Sequence, residues 1–148
     1  MLRFALVVMV GMASVSAAVP APGRKADATA RASCSAYCSC GYCCGWYRDA
    51  KGVARVRKSG RIKHIGVTAS GTVAKHGTAA VDPKVYPRGT IFFIPGYGYA
   101  KAEDRGGSVK GGAIELWFDT HQTALNWGRK QKEIKIWYPN SKKGKSVK

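Results

Sequence analysis

The chain has 148 residues, of which 25 are Lys or Arg and only 8 are Asp or Glu, giving a formal net charge of +17 at pH 7. This length suits one domain with a hydrophobic core, and the charge indicates anionic partners without specifying a fold. Beyond the N-terminal segment, no stretch is long and apolar enough to predict a transmembrane span.

Residues 1–18 have the order of a secretory signal peptide. Arg3 supplies the positive end, an apolar run follows at 4–12, and the small residues at 16–18 suit cleavage. The apolar run is shorter than the roughly 20 residues that span a bilayer. We therefore expect a secreted, periplasmic or cell-envelope protein. Its expected anionic partners are cell-wall polymers, and no specific nucleic acid is expected.

Two flanking stretches lack the pattern of a folded domain. Residues 19–33 are rich in Ala, Pro and polar groups and are expected to form a flexible lead-in. Residues 140–148 are basic without an apolar pattern and are expected to form a disordered tail. The remainder divides into a cysteine-rich segment at 34–50 and a β domain at 51–139.

The stretch CSAYCSCGYCC contains all five cysteines, Cys34, Cys38, Cys40, Cys43 and Cys44. Export favours disulfides, and four of the five can form two local bridges. Zinc is the alternative, because CxC and CxxC spacings supply thiolates. A zinc ribbon usually takes its pairs from two separated loops, and no second pair occurs here. Disulfides are therefore favoured, and neither a metal site nor a cofactor is predicted.

Short β-type runs separated by Gly and Pro predict strands along the rest of the chain. They cover residues 53–57, 61–68, 90–94, 97–102, 113–118 and 133–138. The run at 113–118 alternates, with Ile114 and Leu116 on one face and Glu115 and Trp117 on the other. Many short strands with such turns are typical of a mainly β fold, either a barrel or a sandwich.

One short helix is predicted over residues 119–128. Asp119 is placed to cap its start, with Gln122 at the reciprocal capping-box position, and Gly128 suits its C-terminal end. His121 falls in the first turn, where we expect it at the surface.

Acidic residues are scarce, so their positions are informative. Glu115 stands in the middle of an alternating strand, where Glu is depleted, beside Trp117 on the same face. Desolvation by such a neighbour raises the pKa of a carboxyl group, which favours a general acid. A solvent-facing glutamate is the alternative. Asp82 precedes a proline and suits a turn, whereas Asp104 suits a turn or a pair with Arg105.

Seven motifs follow one another between residues 68 and 128. They are TASG at 68–71, AVDP at 80–83, PRGT at 87–90, GYG at 96–98, AEDRGG at 102–107, KG at 110–111 and ALNWG at 124–128. In this order they resemble the 3D domain, named for three aspartates, of bacterial cell-wall proteins and of the membrane-bound lytic transglycosylase A barrel. The resemblance is looser over 34–66 and does not cover the basic tail.

The resemblance implies a six-stranded double-psi β-barrel over 51–139, with one or two short helices and an N-terminal cysteine-rich segment. It also implies a lytic transglycosylase that cleaves the β-1,4 bond between N-acetylmuramic acid and N-acetylglucosamine in peptidoglycan. In this reaction the muramic 6-hydroxyl attacks its own anomeric carbon and leaves a 1,6-anhydro ring. One carboxylic acid suffices, in contrast to the paired carboxylates of hydrolases.

The family's first two aspartates fall on Asp82 and Asp104, and its third falls on Glu115, which is then the expected acid. Glu retains the chemistry but is one methylene longer, and a shift of about 1 Å in a catalytic group can cost of order 100-fold in rate. The expected substrate-binding residues are Thr68, Ser70, Arg105 and Trp117.

Three functions remain open from the sequence. The first is the lytic transglycosylase, favoured by Asp82 and Asp104. The second is a non-catalytic glycan-binding barrel, similar to expansins, that stacks sugars on Trp117 and Trp127, and the Glu115 departure favours it. The third is a cationic envelope protein whose barrel is a scaffold, since one fold hosts many functions.

Overall fold

A computed structural model describes residues 18–139. The predicted signal peptide, apart from its last residue, and the basic tail at 140–148 lie outside the described residues. The elements are β1 (Ala28–Tyr37), α1 (Gly41–Cys44), β2 (Trp46–Arg48), β3 (Ala54–Val56), β4 (Thr78–Val81), β5 (Ile91–Ile94), β6 (Gly98–Asp104), β7 (Ile114–Trp117), α2 (His121–Trp127) and β8 (Lys130–Trp137). Among these residues no helix has the length and apolar character needed to cross a membrane.

Six strands close into a barrel in the order β1-β7-β4-β6-β5-β8. The pairs β1/β7 and β4/β6 are parallel, whereas the other neighbours are antiparallel. The short strands β2 and β3 form a separate two-stranded sheet. The predicted fold class, mainly β with a six-stranded barrel and short helices, is confirmed.

The barrel begins earlier in the chain than predicted. β1 lies within residues 19–50, which were divided into a flexible lead-in and a cysteine-rich segment, and it pairs with both β7 and β8. Its buried positions include the small residues Ala32 and Cys34. Because Ala is depleted in strands, an alternation built on Ala gives little indication of β structure.

β4 was not predicted for the same reason. Its sequence TAAV is short and consists mostly of small side chains, although all four residues are buried. Conversely, the run at 61–68 takes part only in isolated bridges through Ile62 and Val67. The other five predicted strands are present as β3, β5, β6, β7 and β8, with small shifts of their ends.

Small residues on β1 and β4 face large apolar residues on β5, β7 and β8 in the barrel interior. The large, fully buried aliphatic and aromatic side chains are Phe92, Ile94, Ile114, Leu116, Ile134 and Ile136. Burial of each contributes about 1.5–3 kcal/mol relative to exposure. The alternation of β7 buries Ile114 and Leu116 and leaves Glu115 and Trp117 half-buried on the outer face, as predicted.

The helix α2 begins at His121, and its N-cap is Thr120 rather than Asp119. Thr120 forms the capping box with Thr123, whereas Asp119 lies one position further out and accepts the backbone N–H of Thr120 at 2.9 Å. The predicted end at Gly128 is confirmed. Its φ of 65° is one that glycine adopts without strain.

Candidate active site

Asp104 and Glu115 lie at one level of the barrel wall. β4 runs between β6 and β7, and Ala80 of β4 pairs with Asp104 on one side and Glu115 on the other. Adjacent strands are about 4.8 Å apart, so two strand spacings, about 10 Å, separate the two Cα atoms. Both side chains line a cavity of about 170 Å³, the carboxylate cleft, together with Tyr37, Cys43, Cys44, Lys63, Ala80, Arg105, Gly106 and Gly107.

A β-bulge at Glu103 turns Asp104 toward this cleft. Ala79 pairs with Ala102, but the next residue of β4, Ala80, pairs with Asp104, so Glu103 is the extra residue. Strict alternation with the buried Ala102 would direct position 104 toward the barrel interior. The bulge therefore places a carboxylate on the same outer surface as Glu115.

Three hydrogen bonds fix the carboxylate of Asp104. Its Oδ2 accepts the hydroxyl of Tyr37 at 2.8 Å, and its Oδ1 accepts the backbone N–H groups of Ala69 and Arg105, both at 2.9 Å. Burial raises the pKa of Tyr37 far above its ordinary value, and neighbouring Asp104 adds to this effect. The phenol therefore remains a hydrogen-bond donor, and Asp104 is held in one orientation.

Glu115 has a different environment. Burial raises the pKa of Glu115 above its ordinary value of 4.5, Arg129 partly offsets this, and the negative charge of Asp104 adds to it. Within residues 18–139 its carboxyl group accepts no hydrogen bond. A half-buried carboxyl group with a raised pKa and free oxygens can give a proton to a bound molecule and later take one back.

The loop after β6 leaves no room for a side chain at Gly106, chiefly because of Val109, and it passes close to Glu115. A Cβ on Gly106 would lie 2.6 Å from Cγ2 of Val109 and 3.3 Å from Oε2 of Glu115. A Cβ on Gly107 would meet no atom within 4 Å. The lack of a side chain at Gly106 therefore allows the backbone of this loop to lie close to the carboxyl group of Glu115.

Asp82, the remaining predicted catalytic acid, is not among the residues of the carboxylate cleft. Its Oδ1 accepts the N–H of Lys84 at 3.0 Å and its Oδ2 that of Gly111 at 3.1 Å, while its carbonyl accepts the N–H groups of Val85 and Tyr86. The hydrogen bonds from Lys84 and Gly111 hold the pKa of Asp82 below its ordinary value of 3.8. These contacts give Asp82 a structural role in joining two loops, and its catalytic role stays a prediction.

Thr68 and Ser70, the predicted substrate-binding residues of the TASG motif, organise the loop that holds Asp104. Thr68 is buried, and its Oγ1 accepts the N–H of Ser70 at 3.2 Å. The hydroxyl of Ser70 donates to the carbonyl of Glu103 at 2.6 Å. These bonds set the loop against β6 and direct the N–H of Ala69 to Asp104, so the contacts seen for both residues are supporting ones.

The two tryptophans that were predicted to stack on sugars have different environments. Trp117 lies on the outer face of β7, but its indole N–H donates to Oγ of Ser39 at 3.0 Å, and it does not line the carboxylate cleft. Trp127 is only 9% exposed and packs against Tyr97 and Phe118 in the core. Trp127 is therefore a core residue, and the expectation that it stacks on sugars was wrong.

The carboxylate cleft shares lining residues with neighbouring clefts and forms part of a longer groove. A cleft of about 380 Å³ shares Asp104 and Arg105 with it and contains Arg88. Another, of about 250 Å³, shares Cys43 and Glu115 and contains Arg129. We call these three clefts the basic groove, because cations line each of them: Lys63, Arg88, Arg105 and Arg129. The predicted residue Arg105 lies in this groove.

Sequence reasoning missed Tyr37, Lys63 and Arg129 as parts of the site. Tyr37 is 67 positions from its hydrogen-bond partner Asp104. The barrel order β1-β7-β4-β6 brings them to the same cleft, and β1 was not predicted. The Ala and polar alternation of residues 28–37 was the available indication of that strand.

The cysteines do not form the predicted disulfides. All five lie within the described residues and carry free thiols. Cys34 is buried in the core, where desolvation raises its pKa to about 11. The Sγ atoms of Cys38 and Cys43 are 3.7 Å apart, much further than the ~2.05 Å of a disulfide bond.

A closed six-stranded barrel with two carboxylates in a basic groove defines the structural class of this chain. Residues 77–140 match the family model of the 3D domain. The predicted 3D domain is thereby confirmed over this part of the chain.

Two proteins of Bacillus subtilis (strain 168) are similar to this chain, each 41% identical over 75 residues, or 48% of the chain. One is YabE, whose name describes a cell wall shaping protein, and the other is the cell wall-binding protein YocH. The match spans 18% of YabE and 26% of YocH, so the chain covers a minor part of both relatives. Among solved structures, MltA from E. coli aligns with a TM-score of 0.41 and 17% identity, over 51% of this chain and 29% of that chain.

Proposed function

We propose that this chain is a cell-wall protein that binds peptidoglycan glycan strands in the basic groove and cleaves them as a lytic transglycosylase. The observation that supports it most is that Glu115 and the fixed carboxylate of Asp104 lie at one level of the barrel wall. Glu115 has a raised pKa and accepts no hydrogen bond within residues 18–139. The 3D domain and the names of the two relatives support the cell-wall part of the proposal.

In the proposed reaction, Glu115 begins protonated and donates its proton to the oxygen that links the two sugars. The glycosidic bond then breaks, and positive charge develops at the muramic anomeric carbon. The negative carboxylate of Asp104, held by Tyr37 and two backbone N–H groups, stabilises that charge. Asp104 is therefore assigned an electrostatic role.

In the second half of the reaction, Glu115 is ionised and acts as base. It takes the proton of the muramic 6-hydroxyl, whose oxygen bonds to the anomeric carbon and closes the 1,6-anhydro ring. Glu115 ends protonated, as it began, and no water is consumed. A raised pKa suits a group that must both give and take a proton near neutral pH.

The basic groove suits a polymer with free carboxylates. Lys63, Arg88, Arg105 and Arg129 lie along it, and the whole chain has a net charge of +17. Peptidoglycan carries carboxylates on its peptides, so a positive protein is attracted to it. We propose a location in the cell envelope or outside the cell for the same reason.

The test is product analysis on purified peptidoglycan, with the fragments identified by mass spectrometry. We expect muropeptides ending in 1,6-anhydro-muramic acid, lighter by one water molecule than hydrolysis products. Reducing-end products would indicate a hydrolase, and unchanged glycan strands would argue against catalysis.

A non-catalytic glycan-binding barrel is the second candidate. It is favoured by Glu115, which stands where the 3D pattern has an aspartate, and by the name of the cell wall-binding relative YocH. Glu115→Asp distinguishes the two. In a groove that retains the family's shape, the shorter acid cleaves at the wild-type rate or faster. In a groove reshaped around Glu, cleavage falls by two or more orders of magnitude. No cleavage by either form, with binding retained, would establish the binding barrel.

A further inference from the structure

Three cysteines and one histidine converge beside the groove. Cys38, Cys40 and Cys43 come from the segment after β1, whereas His121 is the first residue of α2. The four potential ligand atoms all lie within 4.8 Å of one another. Nδ1 of His121 is 4.0, 3.6 and 3.4 Å from the Sγ atoms of Cys38, Cys40 and Cys43, respectively.

These distances agree with tetrahedral zinc coordination. With Zn–S bonds of ~2.3 Å and Zn–N bonds of ~2.0–2.1 Å, tetrahedral ligands are spaced about 3.8 Å apart for two sulfurs and about 3.6 Å for sulfur and nitrogen. The observed Cys38–Cys43 distance is 3.7 Å. A disulfide between these two residues would explain neither the third thiol nor the imidazole.

The surrounding chain holds the three thiols in place. Cys40 is the N-cap of α1, and its Sγ accepts the backbone N–H of Cys43 at 3.5 Å. Between the first two ligands, Ser39 is fixed from both sides. Its carbonyl accepts the indole N–H of Trp46 at 2.9 Å, and its hydroxyl accepts that of Trp117 at 3.0 Å. The loop is therefore anchored to the barrel through β7.

We propose that Cys38, Cys40, Cys43 and His121 bind one zinc ion. Three thiolates and one imidazole fill all four tetrahedral positions, and closed sites of this kind are structural. The ion links the segment after β1 to α2. Because Cys43 lines the carboxylate cleft, the ion also stabilises one wall of that cleft. This site replaces the expectation of disulfides without metal, and it does not depend on the proposed glycan cleavage.

The experiment uses the purified protein, reduced and then equilibrated with zinc before removal of excess metal. Elemental analysis is expected to give one zinc per chain. Cobalt(II) in its place is expected to show the strong visible d–d bands and thiolate charge-transfer bands of tetrahedral sulfur coordination. Cys40→Ser and His121→Ala are expected to weaken metal binding by more than about 100-fold, since loss of an outer-shell partner alone costs up to that factor.

Cys44→Ser and His64→Ala are the matched controls, because they alter a neighbouring thiol and another exposed imidazole but none of the four ligands. Both are expected to bind one zinc. The proposal is overturned if the reduced wild type takes up neither zinc nor cobalt, or if Cys40→Ser binds as tightly as the wild type. It is also overturned if the isolated protein lacks metal and its mass reveals two disulfides that exclude these thiols from coordination. The wild-type cobalt spectrum decides the matter even where a variant fails to fold.

Discussion

Asp104 and Glu115 flank the same residue of β4, one on each side, and their side chains line one cleft. Asp104 is fixed by three hydrogen bonds, whereas Glu115 has none within the described residues. This asymmetry assigns the two carboxylates different tasks. The first can hold a negative charge in a fixed place, and the second can exchange a proton with a substrate.

Tyr37→Phe removes the hydroxyl that donates to Asp104. A hydrogen bond to a carboxylate contributes about 1.5–3 kcal/mol, so the free energy of unfolding measured with urea is expected to fall by about this amount. Tyr86→Phe is the matched control. Tyr86 is also buried, but its hydroxyl makes only a 3.4 Å contact to the carbonyl of Gly112. Equal losses in the two variants would contradict the anchoring role of Tyr37.

Gly106→Ala is expected to destabilise the fold by about 1–3 kcal/mol, the usual cost of inserting a methyl group into a filled space. The new Cβ would press on Val109 and on Oε2 of Glu115. Gly107→Ala serves as control, because its Cβ meets open space, and its effect is expected to stay within about 0.5 kcal/mol. Thermal unfolding of both variants checks this, and a harmless Gly106→Ala would disprove the close approach.

Glu115→Gln is expected to change the pH dependence of stability. The pKa of Glu115 is raised in the folded state, so its contribution to stability is complete below the ordinary value of 4.5 and is lost as pH rises through the raised pKa. Gln does not titrate. Relative to the wild type, the variant should therefore gain stability as pH rises through this window, as measured by urea unfolding at a series of pH values.

Asp82→Asn is expected to change the pH dependence of stability in the opposite direction. The pKa of Asp82 is lowered, so its contribution is present above the ordinary value of 3.8 and is lost as pH falls through the lowered pKa. The Asn variant should be less stable than the wild type at neutral pH and approach it in acid. If both variants shift in the same direction, the environments assigned to the two acids are wrong.

Binding to peptidoglycan is expected to weaken steeply with salt. The net charge is +17, and four cations line the basic groove. Exposed charges are screened within about 10 Å at 0.1 M salt and about 3 Å at 1 M. A pull-down with insoluble peptidoglycan across this range measures the effect. Binding that is unchanged by salt would mean that shape and apolar contacts dominate.

Several parts of the fold could be predicted from local sequence patterns. The β7 alternation predicted the outward face that Glu115 and Trp117 share, and Gly128 predicted the end of α2. The motifs from residue 68 onward predicted the 3D domain and its barrel. These features depend on side-chain periodicity or backbone conformation within a few residues, which the sequence records directly.

Features that depend on strand pairing or packing between residues far apart in the sequence could not be predicted. The buried face of β1 includes Ala32 and Cys34. Because these side chains are small, the sequence of a strand that closes the barrel was interpreted in part as a flexible lead-in. The bulge at Glu103 directs the side chain of Asp104 to the opposite face of the barrel wall, and no local sequence pattern indicates this bulge. His121 was correctly placed at the surface, but its approach to three cysteines depends on how α2 packs beside β1.

The central claim is that Glu115 is the acid of a glycan-cleaving site, and the most direct measurement compares product formation by Glu115→Gln and wild type on the same peptidoglycan. Glu133→Gln, at an exposed position of β8, is the matched control. Loss of a general acid costs about 10²–10⁴-fold in rate. We predict 1,6-anhydro products from the wild type and Glu133→Gln, and at least a 100-fold lower rate from Glu115→Gln with glycan binding retained. Cleavage by Glu115→Gln at the wild-type rate would contradict the account.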